Sequence, residues 1–456
     1  MRFFENKVTD IHIAYIGGGS RGWAWGLMND LALESCISGD VRLYDIDMEA
    51  ACDNEIIGNS LSNNVSAENE WRYKAVETLE EALTGADFVV ISILPGTFKD
   101  MESDVHAPEK LGIYQSVGDT TGPGGLVRAL RAIPMYAEIA AQIKVCCPDA
   151  WVINYTNPMT ICTRTLYQVF PRIKAFGCCH EVFSTQELFV RILKEFRSIE
   201  GAGRNDFKLN ILGINHFTWI DKATYKGMDL FPLFSEFTER YYEQGFDGPP
   251  PEAAEAYFDC GHRVRMDLFK RYGIIVVGGD RHLSEFCPPW YLKTPETVKE
   301  WQFRLTPVSY RVKELGKRIA RAKKLVGGEE KWEIEPSGEE GVLQMKALLG
   351  LQDMVTNVNL PNYGQNTGIP LNCVVESNVL ISRDSVIPLE AGKLPDDVNS
   401  LVMRQVINQE TIVKAGLNKD RELAFRAFAN DALMTASIRD ARKLFNEMLE
   451  NTNSCI

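Results

Sequence analysis

The chain has 456 residues, 45% hydrophobic and 24% charged, proportions of a globular protein with ample core that exclude disordered, collagen-like and fibrous classes. Lys and Arg number 49 against 62 Asp and Glu, a formal charge of −13 with no basic run, which argues against nucleic acid as a partner. The longest apolar stretches, near 87–95 and 274–277, fall short of the ~20 residues of a spanning helix, so no membrane is expected. The charged start MRFFENKVTD lacks a signal peptide's apolar core, and 11 scattered cysteines suit a reducing cytoplasm better than a disulfide framework.

Residues 12–16 (HIAYI) read as a strand, 17–22 as a glycine-rich turn and 23–33 as a helix. A second strand follows at 41–44, a short helix at 78–83, and the apolar run FVVISIL at 88–94, which suits a strand buried on both faces. A long amphipathic helix spans 124–145 and must kink or restart at Pro134; 151–154 and 175–178 supply two further strands. This alternation predicts an α/β, Rossmann-like doubly wound parallel sheet with one ligand crevice at its C-terminal strand ends. Beyond it the pattern is α+β: strands at 208–214 and 274–278, a Gly-Pro-Pro-Pro loop at 248–251, and helical stretches at 298–324 and 396–449. The division falls near residue 185, with a dinucleotide-binding domain at 1–185 and a domain for substrate, metal and oligomerisation at 186–456.

Gly17, Gly19 and Gly22 have the GxGxxG spacing, with Gly18 and Ser20 in the same turn, after a strand and ahead of a helix. Such a turn lets backbone approach a pyrophosphate at a helix N-terminus. Asp45, at the end of the next strand, would accept from both ribose hydroxyls and repel a 2′-phosphate, which favours NAD over NADP. Two polar loops, DTTGPGG at 119–125 and NYTNP at 154–158, follow later strands and bring Asn154 and Asn157 to the crevice, though asparagine also serves turns for local reasons. Cys179 and His216 each follow a strand, and a thiolate with an imidazole can bind a divalent metal; a buried cysteine is as readily a small hydrophobe.

The segments IGGGS, GDTTGPGG with LVRALRAIP, NYTNP, GCCHEV, GINHF, MDLFKRYG and VNLPNYGQ occur in this order over nearly the whole chain, which in this respect resembles glycoside hydrolase family 4, the NAD- and metal-dependent glycosidases. The resemblance implies a C-terminal domain like that of lactate and malate dehydrogenases. It implies Cys179 and His216 as Mn²⁺ ligands, Asn157 as a sugar contact, and His180 as proton donor or as a group orienting its neighbours. It also implies hydride removal from C3 of the sugar to NAD, a C2 proton made acidic by the ketone, elimination of the glycosidic oxygen, water addition and hydride return. The base falls in MDLFKRYG and is assigned to Asp267, with Lys270 on the same helical face to keep it ionised and Tyr272 as the alternative. Met101 stands where the phospho-glycosidases carry an arginine, which disfavours a phosphorylated substrate. Cys179-His180-Glu181-Val182 resembles the branch acting on α-galacturonides, so Glu181 joins the substrate contacts, with Arg281 and His282 facing the uronic carboxylate unless Arg281 pairs Asp280 or Glu285 instead. The substrate expected is a short galacturonide; the alternatives are an α-glucuronide, a neutral α-glucoside or α-galactoside, or a 2-hydroxy acid turned over with net NAD reduction. The resemblance also implies a homodimer or homotetramer.

Overall fold

The computed structural model describes residues 1–62, 70–249 and 255–454. Pro250 and Pro251 of the expected proline loop lie outside the described residues. β1 (Arg2–Phe4) pairs with β2 (Lys7–Ile16), which enters the glycine turn and the helix Trp23–Ala32. β3 (Ile37–Tyr44), β4 (Trp71–Val76), β5 (Phe88–Ile91), β6 (Trp151–Asn154) and β7 (Lys174–Gly177) follow. From β4 to β7 the spatial order is β4-β3-β2-β5-β6-β7, every neighbouring pair parallel. Chain direction across the sheet reverses between β2 and β5, so the loops leaving them diverge and open the crevice where such sheets hold ligands. The doubly wound α/β fold expected from the sequence is present.

Period-two alternation builds a core on each face of this sheet. Ile13, Tyr15, Phe88 and Val90 enter one cluster, while Ala14, Ile16, Val89 and Ile91 enter the other. The run at 88–94 is strand only to Ile91, and Ser92–Leu94 carry the chain out over the crevice. Pro134 lies inside one continuous helix, Gly122–Cys146, whose burial against the sheet and the C-terminal helices outweighs a proline cost of about 3 kcal/mol.

β8 (Phe207–Ile214), β9 (Phe217–Tyr225), β10 (Met228–Asp229) and β11 (Ile275–Val276) form a second, antiparallel sheet. The first sheet then takes three more strands from late in the chain. β12 (Met354–Pro361) adds antiparallel to β7 through Asn359 and Gly177, and β13 (Val374–Ser382) and β14 (Ser385–Pro388) continue the edge. These strands are absent from the sequence reading because VTNVNLP and VVESNVLIS carry Asn, Ser and Glu of low strand propensity, and pairing decides their conformation. The stretch at 298–324 divides into Pro295–Glu300 and Val308–Val326, separated by a loop ending at Pro307. That at 396–449 divides into Asp396–Asn418, Arg421–Ala429 and Ile438–Asn451. Among the described residues no helix is long and apolar enough to cross a membrane, and the described cysteines are all free thiols.

Candidate active site

The glycine turn is shaped by what its backbone must touch. Gly17 has φ +94° and donates, with Gly18, to the Tyr44 carbonyl; a β-carbon on Gly17 would stand 2.0 Å from the Ser92 oxygen. Asn54, fully buried, donates to the carbonyls of Gly18 and Ser20 and accepts from the Trp25 indole, so it pins the turn from below. Gly19 N donates to Asp45 Oδ2 at 2.8 Å and Asp47 N to Oδ1, leaving each oxygen a lone pair for a ribose hydroxyl. Gly22 caps the following helix without a side-chain bond, which leaves first-turn N–H groups to an anion. We expect Gly17→Ala to lose dinucleotide binding and to destabilise the fold by more than ~3 kcal/mol, because the methyl meets a backbone carbonyl that cannot withdraw. Unchanged melting temperature and cofactor titration would refute this.

At the far end of the crevice three donors converge: Glu181, His216 and His282 place ligand atoms within 4.8 Å of one another. That is near the span one cation bridges at about 2.2 Å from each donor. His216 occupies the two-residue turn between β8 and β9 at φ +63°, a left-handed position that costs most side chains energy. Thr120 Oγ1 donates to Asp119 Oδ1 at 2.7 Å, so its contact of 2.9 Å with His216 Nδ1 is one it accepts. This fixes the proton on Nδ1 and leaves the Nε2 lone pair for a metal. His282 lies against it at 4.0 Å between ring centroids with the rings tilted by 40°, its Nε2 3.5 Å from Glu181 Oε1 and its Nδ1 buried without a partner among the described residues. Glu181 Oε2 is held by Gly279 N at 2.9 Å. Burial pushes both imidazoles down to about 3, so they stand neutral, the form that ligates.

Cys178 and Cys179 part because successive residues leaving a strand face opposite ways. Cys178 joins the core and donates to Gln344 at 2.8 Å. Cys179 is buried against the Glu181 backbone, beside Asn215 and Glu376, and burial pushes its thiol well up, so a cation is needed to make it a thiolate. It is not among the three donors that close on one another.

The walls are cationic. Arg128, 5% exposed, donates to the Asn157 carbonyl, while its Nη1 and Asn157 Oδ1 are buried without partners among the described residues. Burial opposes ionisation of Asp119, yet the charges around it, Arg128 first, hold it at about 2. Arg281, 8% exposed, donates to Thr306 Oγ1 at 2.6 Å and lies over the Phe258 ring. It pairs neither Asp280, which accepts from Val264 N and Arg265 N, nor Glu285, which accepts from Val117 N and Gly118 N. Arg311 adds a second guanidinium whose charge acts on Asp119, Arg281 and His282.

The segment assigned to the base is helical, Arg263–Tyr272, and its Asp267 is not among the donors that converge with the histidines. Asp267 accepts from the hydroxyls of Tyr242 at 2.9 Å and Tyr291 at 2.6 Å and pairs Arg271 at 2.7 Å, partners that make its burial tolerable. Lys270 turns instead to the Tyr242 ring, and Tyr272 packs edge-on to Trp219. Asn154 is also committed internally, accepting from Tyr136 and Thr156 N and donating to the Thr156 carbonyl. Sequence reasoning missed Arg128, Arg311, Asn54 and Glu339, whose roles depend on contacts distant in sequence.

His180 stands at the crevice mouth, its side chain 48% exposed, ring stacked on Trp23 and Nδ1 3.1 Å from Glu339 Oε1. That hydrogen bond raises its pKa above 6.5, favouring the cation. If it donates the proton, activity falls as pH rises through this raised value, and Glu339→Gln moves the alkaline limb down toward about 6.5. A pH–rate profile unmoved by Glu339→Gln would count against His180 as donor.

Residues 12–195 match the model of a family described as family 4 glycosyl hydrolase, and 211–434 that of the family 4 glycosyl hydrolase C-terminal domain. The chain is 63% identical to an alpha-galacturonidase of Thermoanaerobacterium saccharolyticum, over 99% of this chain and 98% of that one. It is 51% identical to an alpha-galacturonidase of Bacillus subtilis, over 98% and 99%. Among solved structures it is similar to one described as a Bacillus subtilis glucosidase, with TM-score 0.93, 51% identity and coverage of 97% of this chain and 100% of that one. The fold is also that of a Thermotoga maritima 6-phospho-beta-glucosidase solved with manganese, NAD⁺ and glucose-6-phosphate, TM-score 0.77 at 23% identity over 98% and 99%.

Proposed function

The chain belongs to the family 4 glycosyl hydrolases, and from that premise we propose that it is an NAD- and divalent-metal-dependent α-galacturonidase acting on short galacturonides. The observation that carries the substrate is Arg281, a buried cation with no carboxylate partner among the described residues, whose charge acts on Glu181 and His282 in the Glu181, His216 and His282 cluster. Full-length identity above 50% to proteins named for this activity supports it.

The glycine cradle, which a β-carbon would fill, and Asp45 fit a dinucleotide with free ribose hydroxyls. Neutral His216 and His282 with Glu181 fit a divalent cation such as Mn²⁺, with Cys179 the adjoining thiol that a cation would ionise. Bound, these groups supply a reversible hydride acceptor for C3 and a Lewis acid that makes the C2 proton removable. The protein's own side chains do the rest. Thr120 and Asp119 hold the His216 tautomer, Arg128 and Asn157 present unpaired polar atoms to sugar hydroxyls, Arg281 and Arg311 take the carboxylate, and His180 with Glu339 holds a proton for the departing oxygen. The same reading takes residues 1–185 as the dinucleotide half and 186–456 as the half for sugar, metal and partner subunits. It also takes the protein as a cytoplasmic homodimer or homotetramer.

Incubation of digalacturonate with the protein, NAD, Mn²⁺ and a thiol reductant is expected to release free galacturonate with no net NADH. Stoichiometric NADH would point to a dehydrogenase, and no released sugar acid would overturn the assignment.

A further inference from the structure

The helix Val308–Val326 is anchored at both ends and basic between them. Val308 packs on Met101 and Val105 beyond β5, while Ala322, Leu325 and Val326 join the core on the β3 side, and the helix touches both Met48–Ser62 and Phe98–His106. These two helices follow β3 and β5, the strands flanking the one that leads into the glycine turn. The helix therefore crosses the dinucleotide crevice like a strap. Arg311 and Arg318 are seven residues apart, two turns and about 10 Å along one face, so Arg311 at the sugar end implies a second guanidinium over the cofactor end.

Arg318 is where that geometry requires. A β-carbon on Gly22, the last glycine of the turn, would stand 2.6 Å from Arg318 Nη1. Arg21, Lys317 and Arg321 line the same cavity of about 310 Å³ beside Gly22 and Trp25, but each has a carboxylate: Asp53 for Arg21, Glu314 for Lys317, Glu330 for Arg321. Among the described residues Arg318 forms no ion pair. A guanidinium held over unpaired N–H groups at a helix start, with no acid of its own, calls for an anion.

We infer that Arg318 is a ligand of the cofactor's pyrophosphate, delivered from the second half of the chain by a helix that roofs the crevice. The inference rests on the proposed use of NAD. Because the contact is to phosphate, Arg318→Gln weakens binding of NAD and of ADP-ribose about tenfold or more and flattens the salt dependence of both, while adenosine competes as it does with the unchanged protein. Arg318→Lys, which keeps the charge but not the fork, recovers part of the loss. Calorimetric titration of the metal-free protein measures these affinities, and thermal unfolding without ligand should be unchanged because Arg318 is exposed. A loss below about threefold, or an equal loss for adenosine, overturns the inference and leaves the NAD reading intact. Absence of NAD binding by the unchanged protein would overturn both.

Discussion

Replacing His216 by alanine is expected to lower Mn²⁺ affinity more than about 100-fold and to remove glycosidase activity, while the fold survives. The imidazole is the one donor that both the family resemblance and the converging cluster assign to the metal. Its Nδ1 proton is committed to Thr120, and Nε2 makes no hydrogen bond among the described residues. Stability should fall modestly in the alanine variant, and in a glycine variant two effects oppose one another. The variant gives up a hydrogen bond of about 1 kcal/mol and the contact with His282. Glycine at the same position, φ +63°, instead recovers roughly 1–2 kcal/mol of left-handed strain. His216→Gly should therefore melt within a few degrees of the unchanged protein and be as inactive as His216→Ala. Metal titration with thermal unfolding decides the matter, and either variant binding Mn²⁺ with unchanged affinity would remove His216 from the site.

Arg281→Gln should lower kcat/KM on an α-galacturonide by about 10²–10³ and leave a neutral α-galactoside within about threefold. The sign follows from the crevice's charges. Asp119 is ionised, held at about 2, and Glu181 lies beside the histidines, so an anionic sugar is repelled unless the arginines outweigh them. Losing one partner of a desolvated charge pair costs about 2–5 kcal/mol, with about 1.4 kcal/mol per tenfold. The neutral sugar never makes that pair. The variant should also fold, since Arg281 bonds Thr306 rather than a carboxylate and its removal strands no buried acid. Equal losses on both sugars would make Arg281 a positioning residue instead of a reader of the carboxylate.

The parallel sheet and its glycine turn were legible because their signals are local. Gly17, Gly19, Gly22 and Asp45 lie within one strand-turn-helix-strand unit, and the apolar runs of β2 and β5 announce a sheet buried on both faces. The sequence alone also marks the neighbourhoods of Cys179, His180 and His216, and motif order names the family. It does not assign roles among neighbours. Asp267 and Lys270 share a helix, yet Arg271, Tyr242 and Tyr291 claim the carboxylate, because a buried charge takes the partners that packing supplies. Only the tertiary structure sets Glu181 and His282 beside His216 across about 100 residues of chain. It alone adds β12–β14 to the first sheet and lays the Val308–Val326 helix over the crevice. Local spacing encodes hydrogen bonds and turns within an element, whereas a crevice is defined by side chains from separate elements whose convergence is decided by burial.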